Sequence, residues 1–350
     1  MSVKLPGISI IVVGYKDKKY LNECFDSIKR QTVFNKYKVE VIFVSNASFD
    51  GSINEIQRHF KWVKTIRNMK NFGYAAALNR GIKISGGDFV LVMNADVILE
   101  KDYLETAVKR MMKDKYIGAL MGKIYRYDFN RNEKTKIFDT VGIFAWVDRE
   151  ILSARGASDV GQFAEEQDIF SVRNICAFYR RTALEDAKVF GEYFDENFFL
   201  YLEDADLCWR LNLFGWRVRF SPSLISYHCM DLKKKSNIIA YKKRERREFM
   251  MNERLMVLKN EFFLTVMRDF WIILTKRIVK KSFLLDRWIG GFIKYLKLIP
   301  GTLRKRRYII KRRRIGRLEI RRWFIRKSNM RYSMYKSKSL YKYAKLPPVY

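Results

Sequence analysis

Carboxylates and one imidazole carry the chemistry open to this sequence. In "FVLVMNADVI" (89–98) an apolar run that reads as a buried strand stops at Asn94 and delivers Asp96 directly after it. A carboxylate at a rigid strand end suits a hard divalent cation, which one or two carboxylates hold together with substrate phosphate oxygens. The alternative is a helix cap, but the next helix starts near Lys101, too far along for an N-cap, which favours metal binding. A second acidic run, "LYLEDADLCWR", offers Glu203, Asp204 and Asp206. On a helix Asp206 pairs with Arg210 four residues on. Glu203 and Asp204 have no such neighbour, and a carboxylate at a cleft can take a proton from an attacking hydroxyl. Taken alone, such a run is most often a solvated face. His228, one of two histidines, ends the strand-like "SLISYH". By itself it reads as structural or as a surface residue; beside Asp96 it would complete a nitrogen and oxygen site for a divalent ion. His59, in "EIQRHFKW", reads as an ordinary helix-end residue.

These residues need a scaffold, and the first 125 residues supply its pattern. The β-branched runs "ISIIVV" (8–13) and "VEVIFV" (39–44) are dense enough to be buried on both faces. "WVKTIRN" (62–68) and "DFVLVM" (88–93) continue the series. Helical spacing fills the intervals at 20–31, 74–84 and 103–113. Such alternation predicts a parallel, doubly wound α/β sheet, with ligands beyond the carboxyl ends of its strands. The loops "SNASFDGS" (45–52), "NFGYAAALNRG" (71–81) and "NAD" (94–96) would then converge on one crevice. Residues 125–175 read as irregular with short strands, 198–216 as a helix closed by Gly215, and 217–228 as two short strands around Pro222. No P-loop and no G-x-G-x-x-G follows any strand.

The charge is unevenly placed. The chain of 350 residues carries +33, yet residues 1–230 hold 34 basic and 29 acidic side chains, whereas 231–350 hold 36 and 8. The stretch 304–327 alone has 13 basic residues and one acid, Glu319. Such a segment points to a polyanion, either nucleic acid or an anionic membrane face. Trp271, Phe283, Trp288, Phe292 and Trp323 are interleaved with Lys and Arg, as in an interfacial helix. The competing reading is a helical extension that packs its apolar face on the rest and leaves a solvated basic face. No window is long and apolar enough to span a bilayer, and no signal-peptide layout opens the chain. Cys24, Cys176, Cys208 and Cys229 show no metal-like spacing, and reduced thiols in a cytoplasmic setting are expected.

The ordered series "ISIIVVGY", "NASFDGS", "NFGYAAALNRGI", "VMNADV", "FGEYFDENFFLYLEDADLCWRLNLFGW" and "SPSLISYH" resembles the family 2 glycosyltransferases, and among them the rhamnosyltransferase-like members. The resemblance covers about residues 6–260. It implies an α/β fold of GT-A type: a doubly wound mixed sheet in a catalytic domain (1–260), followed by a basic helical extension (261–350). It further implies that Asp96, with Asn94 beside it, binds the Mg²⁺ or Mn²⁺ that holds the diphosphate of a nucleotide-sugar donor, and that His228 approaches that metal. Asp204, next to Glu203, would be the general base. Tyr15 and the loop with Ser45, Asn46 and Asp50 would form the base pocket, and Asn71, Gly73 and Asn79 would line the phosphate and sugar side. Two departures stand out: Ser45 replaces the family's Asp, and Lys16 replaces its Asn. The Q-x-x-R-W signature of processive members is missing, which favours addition of a single sugar. The expected acceptor is a glycan or a lipid-linked precursor, met at the cytoplasmic face of a membrane. Two rival readings are a nucleic-acid binder using the Arg-rich stretch and a relative that binds donor without turnover.

Overall fold

The computed structural model describes residues 5–143, 146–147, 150–151, 154–229, 238–262, 267 and 285–324. Four parallel strands form one half of the sheet: β1 (Ile8–Gly14), β2 (Val39–Asn46), β3 (Lys64–Asn68) and β4 (Phe89–Asn94), side by side as β4-β1-β2-β3. β1 is buried along its whole length, as a β-branched run covered on both faces must be. Helices α1 (Leu21–Lys29), α2 (Ser52–His59), α3 (Tyr74–Lys83) and α4 (Tyr103–Lys113) make the crossovers and cover the faces. The four predicted strands and the helices at 20–31, 74–84 and 103–113 lie where the alternation placed them.

The other half is antiparallel in part. β6 (Ile117–Asp128) and β7 (Glu133–Thr140) make a hairpin, and β8 (Trp146–Val147) pairs with β9 (Glu150–Ile151) in a separate ribbon. β10 (Gln167–Asp168) sits at the sheet edge. β11 (Cys176–Arg180) enters antiparallel between β4 and β6, which makes the sheet mixed. The full order is β10-β12-β6-β11-β4-β1-β2-β3, where β12 is Arg217–Cys229 and β5 (Val97–Leu99) pairs with it. Helices α5 (Arg181–Ala187) and α6 (Glu203–Leu213) lie between β11 and β12. They are followed by α7 (Ile238–Asn260), α8 (Leu285–Arg312) and α9 (Arg317–Ile320).

Two sequence expectations are corrected, and a third is filled in. The short strands expected within 125–175 include β7, which pairs with β6 as a hairpin. Its alternation is masked by charged residues, and Asp128 turns the chain by accepting the Asn130 and Arg131 N–H groups at 3.1 and 3.2 Å. Residues 217–228 form one strand, not two. The register against β6 slips between Phe220 and Ile225, so Pro222, which has no N–H to donate, falls in the irregular part. The helix expected over 198–216 starts only at Glu203, because Tyr201 and Leu202 adopt left-handed φ of 73° and 67°. Its far end is as expected. Gly215 takes φ 80°, and Trp216 N–H to Leu211 O (2.9 Å) with Gly215 N–H to Asn212 O (3.2 Å) closes a Schellman motif.

The basic segment is partly inside the molecule. Ile309 is fully buried, and Trp323, expected at an interface, packs on Phe170 with ring centroids 6.2 Å apart. The side chains of Trp271, Phe283, Trp288 and Phe292 lie outside the described residues, as does the tail after 328. Close strand packing supplies one stability prediction. A Cβ on Gly122 of β6 would stand 1.9 Å from the Leu224 carbonyl oxygen in β12. The clash is with backbone and not with the end of a flexible side chain, so Gly122→Ala is expected to destabilise the fold by about 3 kcal/mol, measured by urea denaturation.

Candidate active site

The site is built on the strand ends. Phe89–Met93 of β4 are buried, and the strand emerges at Asn94, whose N–H reaches Ile175 O at 3.1 Å. The next residue, Ala95, donates its N–H to Val13 O at 3.1 Å, locking the turn onto β1. Asp96 follows, and its carbonyl accepts the Cys229 N–H at 2.8 Å. Pairing of β5 with β12 sets His228 opposite Val97, so the imidazole and the Asp96 carboxylate share one corner. His228 Nε2 lies 3.2 Å from Asp96 Oδ1, and Nδ1 lies 2.9 Å from Asp139 Oδ2 at the end of β7. Burial, which disfavours an imidazolium, is outweighed by the Asp96 and Asp139 carboxylates, and the His228 pKa is raised to about 10.

Asp96 Oδ1 is buried yet makes no aligned hydrogen bond, and the same holds for Asp139 Oδ1, which instead has Arg155 Nε at 3.3 Å. At neutral pH both His228 ring nitrogens are protonated; on meeting a cation the ring would keep its Nδ1–H on Asp139, release the Nε2 proton and offer that lone pair beside Asp96. A carboxylate beside an imidazole backed by a second carboxylate is the usual set for a divalent ion. Among the described residues no group of three or more His, Cys, Asp or Glu forms a closed cage. Two protein donors fit an ion that shares its shell with phosphate oxygens.

The acidic pair arrives from the other side. Asp204, in the first turn of α6, accepts the Ala205 N–H on Oδ1 at 2.7 Å. Its Oδ2 receives the Asn174 N–H at 3.3 Å and lies 3.5 Å from Arg173 Nε. Glu203 Oε1 accepts from Asn174 Nδ2 at 3.3 Å, and Oε2 is buried without a partner. Burial first, and the neighbouring Asp204 charge second, raise the Glu203 pKa to about 8. Sequence reasoning gave this pair no partner; Arg173 and Asn174, just before β11, provide it. Asn174 and Ile175 also join the two groups, since Ile175 O holds Asn94 while Asn174 holds Asp204. Tyr74 OH completes the link, bonding Asn94 Oδ1 at 2.7 Å and Asn174 O at 2.8 Å. Asp96, His228, Glu203 and Asp204 therefore occupy one edge of the sheet.

The raised Glu203 value has a consequence for stability. Folded Glu203 binds a proton between its ordinary value of 4.5 and about 8, whereas the unfolded carboxyl does not, so stability falls as pH rises through that window. Glu203→Gln is expected to flatten this fall in urea titrations run from pH 5 to pH 8.

The expected donor residues divide. Tyr15 is 45% exposed beyond β1, with the Lys16 ammonium over its ring at 5.4 Å from the centroid. Ser45, at the end of β2, is fully buried with an unbonded Oγ. Asn46 is a scaffold residue instead: its amide ties Asn71 Oδ1 (2.9 Å), Gly73 O (3.1 Å) and Asn68 Nδ2 (3.0 Å). Asn71 Oδ1 also accepts the Gly73 N–H at 2.9 Å. Asp50 is engaged by Lys18 N–H and by Ser52, which holds its carboxyl below the usual range against the opposing effect of burial. Asn79 does not face the site. It is fully buried and fixes the 194–196 segment through Phe194 O (2.8 Å), Phe194 N–H (2.9 Å) and Glu196 Oε1 (2.9 Å). Gly73 has φ 93°, and a Cβ there would come within 2.6 Å of Phe199 O. Asp139, Arg173, Asn174 and Tyr74 were missed. A buried histidine ligand needs a second carboxylate, which signals that a residue such as Asp139 must exist but not where it lies.

A family model described as glycosyl transferase family 2 matches residues 9–187. Glycosyltransferase GlyG of Streptococcus pneumoniae is 31% identical over 125 residues, 35% of this chain and 40% of that protein. Poly-beta-1,6-N-acetyl-D-glucosamine synthase of Staphylococcus aureus is 23% identical over 226 residues, 63% of this chain and 49% of that protein. The chain thus spans less than half the length of these relatives. Among solved structures, S. aureus TarS 1-349 in complex with UDP has a TM-score of 0.52 at 19% identity, covering 90% of this chain and 91% of that one. Mannosyltransferase PcManGT from Pyrobaculum calidifontis, in complex with GDP-Man and Mn²⁺, has a TM-score of 0.50 at 17% identity, covering 88% and 74%. At such identities the likeness is one of fold.

Proposed function

The chain belongs to glycosyltransferase family 2 and has a GT-A-like fold, and from that premise we propose that it transfers a single sugar, with inversion, from a nucleotide-diphosphate sugar to an acceptor hydroxyl. The observation that carries this reading is the shared corner of Asp96, His228 and the Glu203–Asp204 pair beyond the parallel strands. Asp96 and His228 Nε2 would hold Mg²⁺ or Mn²⁺, which when bound neutralises charge developing on the departing diphosphate. Asp139 accepts the His228 Nδ1–H and fixes the ring. Tyr15, Ser45 and the loop that Asn46, Asn71 and Asp50 stiffen form the nucleotide side, and Asn94 flanks the diphosphate. The acceptor oxygen attacks the anomeric carbon as the bond to the diphosphate breaks on the opposite face. Asp204 takes the hydroxyl proton. Arg173 and Asn174 aim its carboxylate, while Glu203 stays protonated at neutral pH.

Residues 1–260 form the catalytic unit in this reading, with 261–350 as its helical extension. The acceptor is a glycan or lipid-linked precursor, and α8 brings the enzyme to the anionic cytoplasmic face of a membrane. Support comes from its outer side, where Ile293, Leu296 and Leu303 are 47%, 46% and 39% exposed, next to exposed Lys297, Arg304 and Arg307. Such a face gains about 1 kcal/mol per basic residue near anionic lipid. No helix among the described residues is long and apolar enough to cross a membrane. Leu296→Glu with Leu303→Glu is expected to weaken sedimentation with anionic vesicles by about tenfold or more; wild-type binding would remove the membrane from the proposal. The transferase reading is tested by thermal shift with UDP-, dTDP- and GDP-sugars, with and without Mn²⁺. A donor that stabilises only with metal supports it.

A further inference from the structure

We infer that α7 is a splint for the turn that presents Asp204, and that Asn252 is the positioning residue at its centre; this rests on the transferase reading of Asp204. The turn is strained. Tyr201 and Leu202 are consecutive non-glycine residues at φ 73° and 67°, immediately before Glu203 and Asp204. Such a conformation persists only where the surroundings over-determine it. The surroundings come from α7, beyond the stretch 9–187 that matches the family model. Asn252 is fully buried, and its Nδ2 donates to Leu200 O at 2.8 Å and to Tyr201 O at 2.9 Å. One amide thus grips the carbonyl that leads into the left-handed pair and the carbonyl between its two residues.

The same helix holds the chain again just past the acidic pair. Asp206 is fully buried, and it accepts from Lys259 Nζ at 2.9 Å and from Asn260 Nδ2 at 2.7 Å. Arg210 pairs with it at 3.2 Å. Lys259 also bonds Asp195, which Lys305 of α8 reaches at 2.7 Å. Asp204 touches none of these groups, yet its backbone is pinned two to four residues away on both sides. Fixing the chain there sets where Oδ2 points relative to Arg173 and Asn174. The C-terminal helices are in this sense part of the catalytic apparatus, acting through geometry alone.

The test compares the full-length wild type with Asn252→Ala and with the isosteric Asn252→Leu, which keeps the packing volume if alanine does not fold. Two quantities are read: kcat with donor affinity, and hydrogen exchange of the backbone amides. Loss of the splint lowers kcat about 10- to 100-fold, while the Kd of nucleoside diphosphate with Mn²⁺ stays within about twofold. Amides of 203–207 exchange about tenfold faster or more, and those of β1 and β4 are unchanged. Wild-type kcat in a folded variant overturns the inference, as does exchange that is unaltered at 203–207 or raised evenly across the sheet. Should the wild type transfer no sugar, the transferase reading fails, and the exchange pattern still decides whether α7 holds the turn.

Discussion

Asp204→Asn is expected to lower kcat by about a thousandfold while leaving metal-dependent donor binding intact. The substitution is isosteric. An asparagine oxygen can still accept the Ala205 N–H, its amide nitrogen gives up only the longer 3.3 Å bond from the Asn174 N–H, and Asn252 still holds the turn. What is lost is the ability to take a proton from the acceptor as it attacks. As the proposed base, Asp204 would meet the donor only through the reacting centre, so the effect is expected on kcat and not on donor Kd. Glu203→Gln serves as comparison: a carboxyl with its pKa raised to about 8 is already protonated at neutral pH, so its amide analogue loses far less activity. Equal losses in the two variants would place the base elsewhere.

Asp96→Ala is expected to raise the donor Kd measured with Mn²⁺ by about a hundredfold or more, and to abolish the difference between titrations with and without metal. The fold survives, since Asp96 is tied into the sheet through its backbone carbonyl and Cys229 N–H, which alanine retains. Asp139→Asn acts on the same site one step removed. It weakens the acceptor that fixes the His228 ring, and a smaller, roughly tenfold loss of metal affinity follows. A graded series, Asp96 above Asp139, would separate a metal corner from an ordinary buried ion pair, in which neither substitution would respond to Mn²⁺.

The parallel half of the sheet was legible because burial on both faces forces dense β-branched runs, which stand out without any partner strand. The strand end at Asp96 and the approach of His228 and Asp204 followed from those runs together with the family resemblance. Asp139 was not legible. It sits on a hairpin whose partner strand is found only through pairing, and whose outward lysines dilute the alternation. Asn79 shows the opposite failure: a buried amide that binds backbone is written in the sequence like one that binds a ligand, and only burial separates them. Composition likewise overstated the free charge of the C-terminal part. Lys259 and Lys305 neutralise buried carboxylates, Arg306 caps Leu258 O at 2.6 Å, and the half-buried Arg312 bonds Asp186. A count of basic residues cannot tell these from the exposed Arg304, Arg307 and Lys311.

Anomalous diffraction from crystals grown with Mn²⁺ and a nucleoside diphosphate tests the central claim most directly. A manganese peak within about 2.5 Å of both an Asp96 carboxylate oxygen and His228 Nε2, with diphosphate oxygens completing its shell, is the predicted result. Bound nucleotide with manganese at some other set of side chains, or with none at this corner, would contradict it.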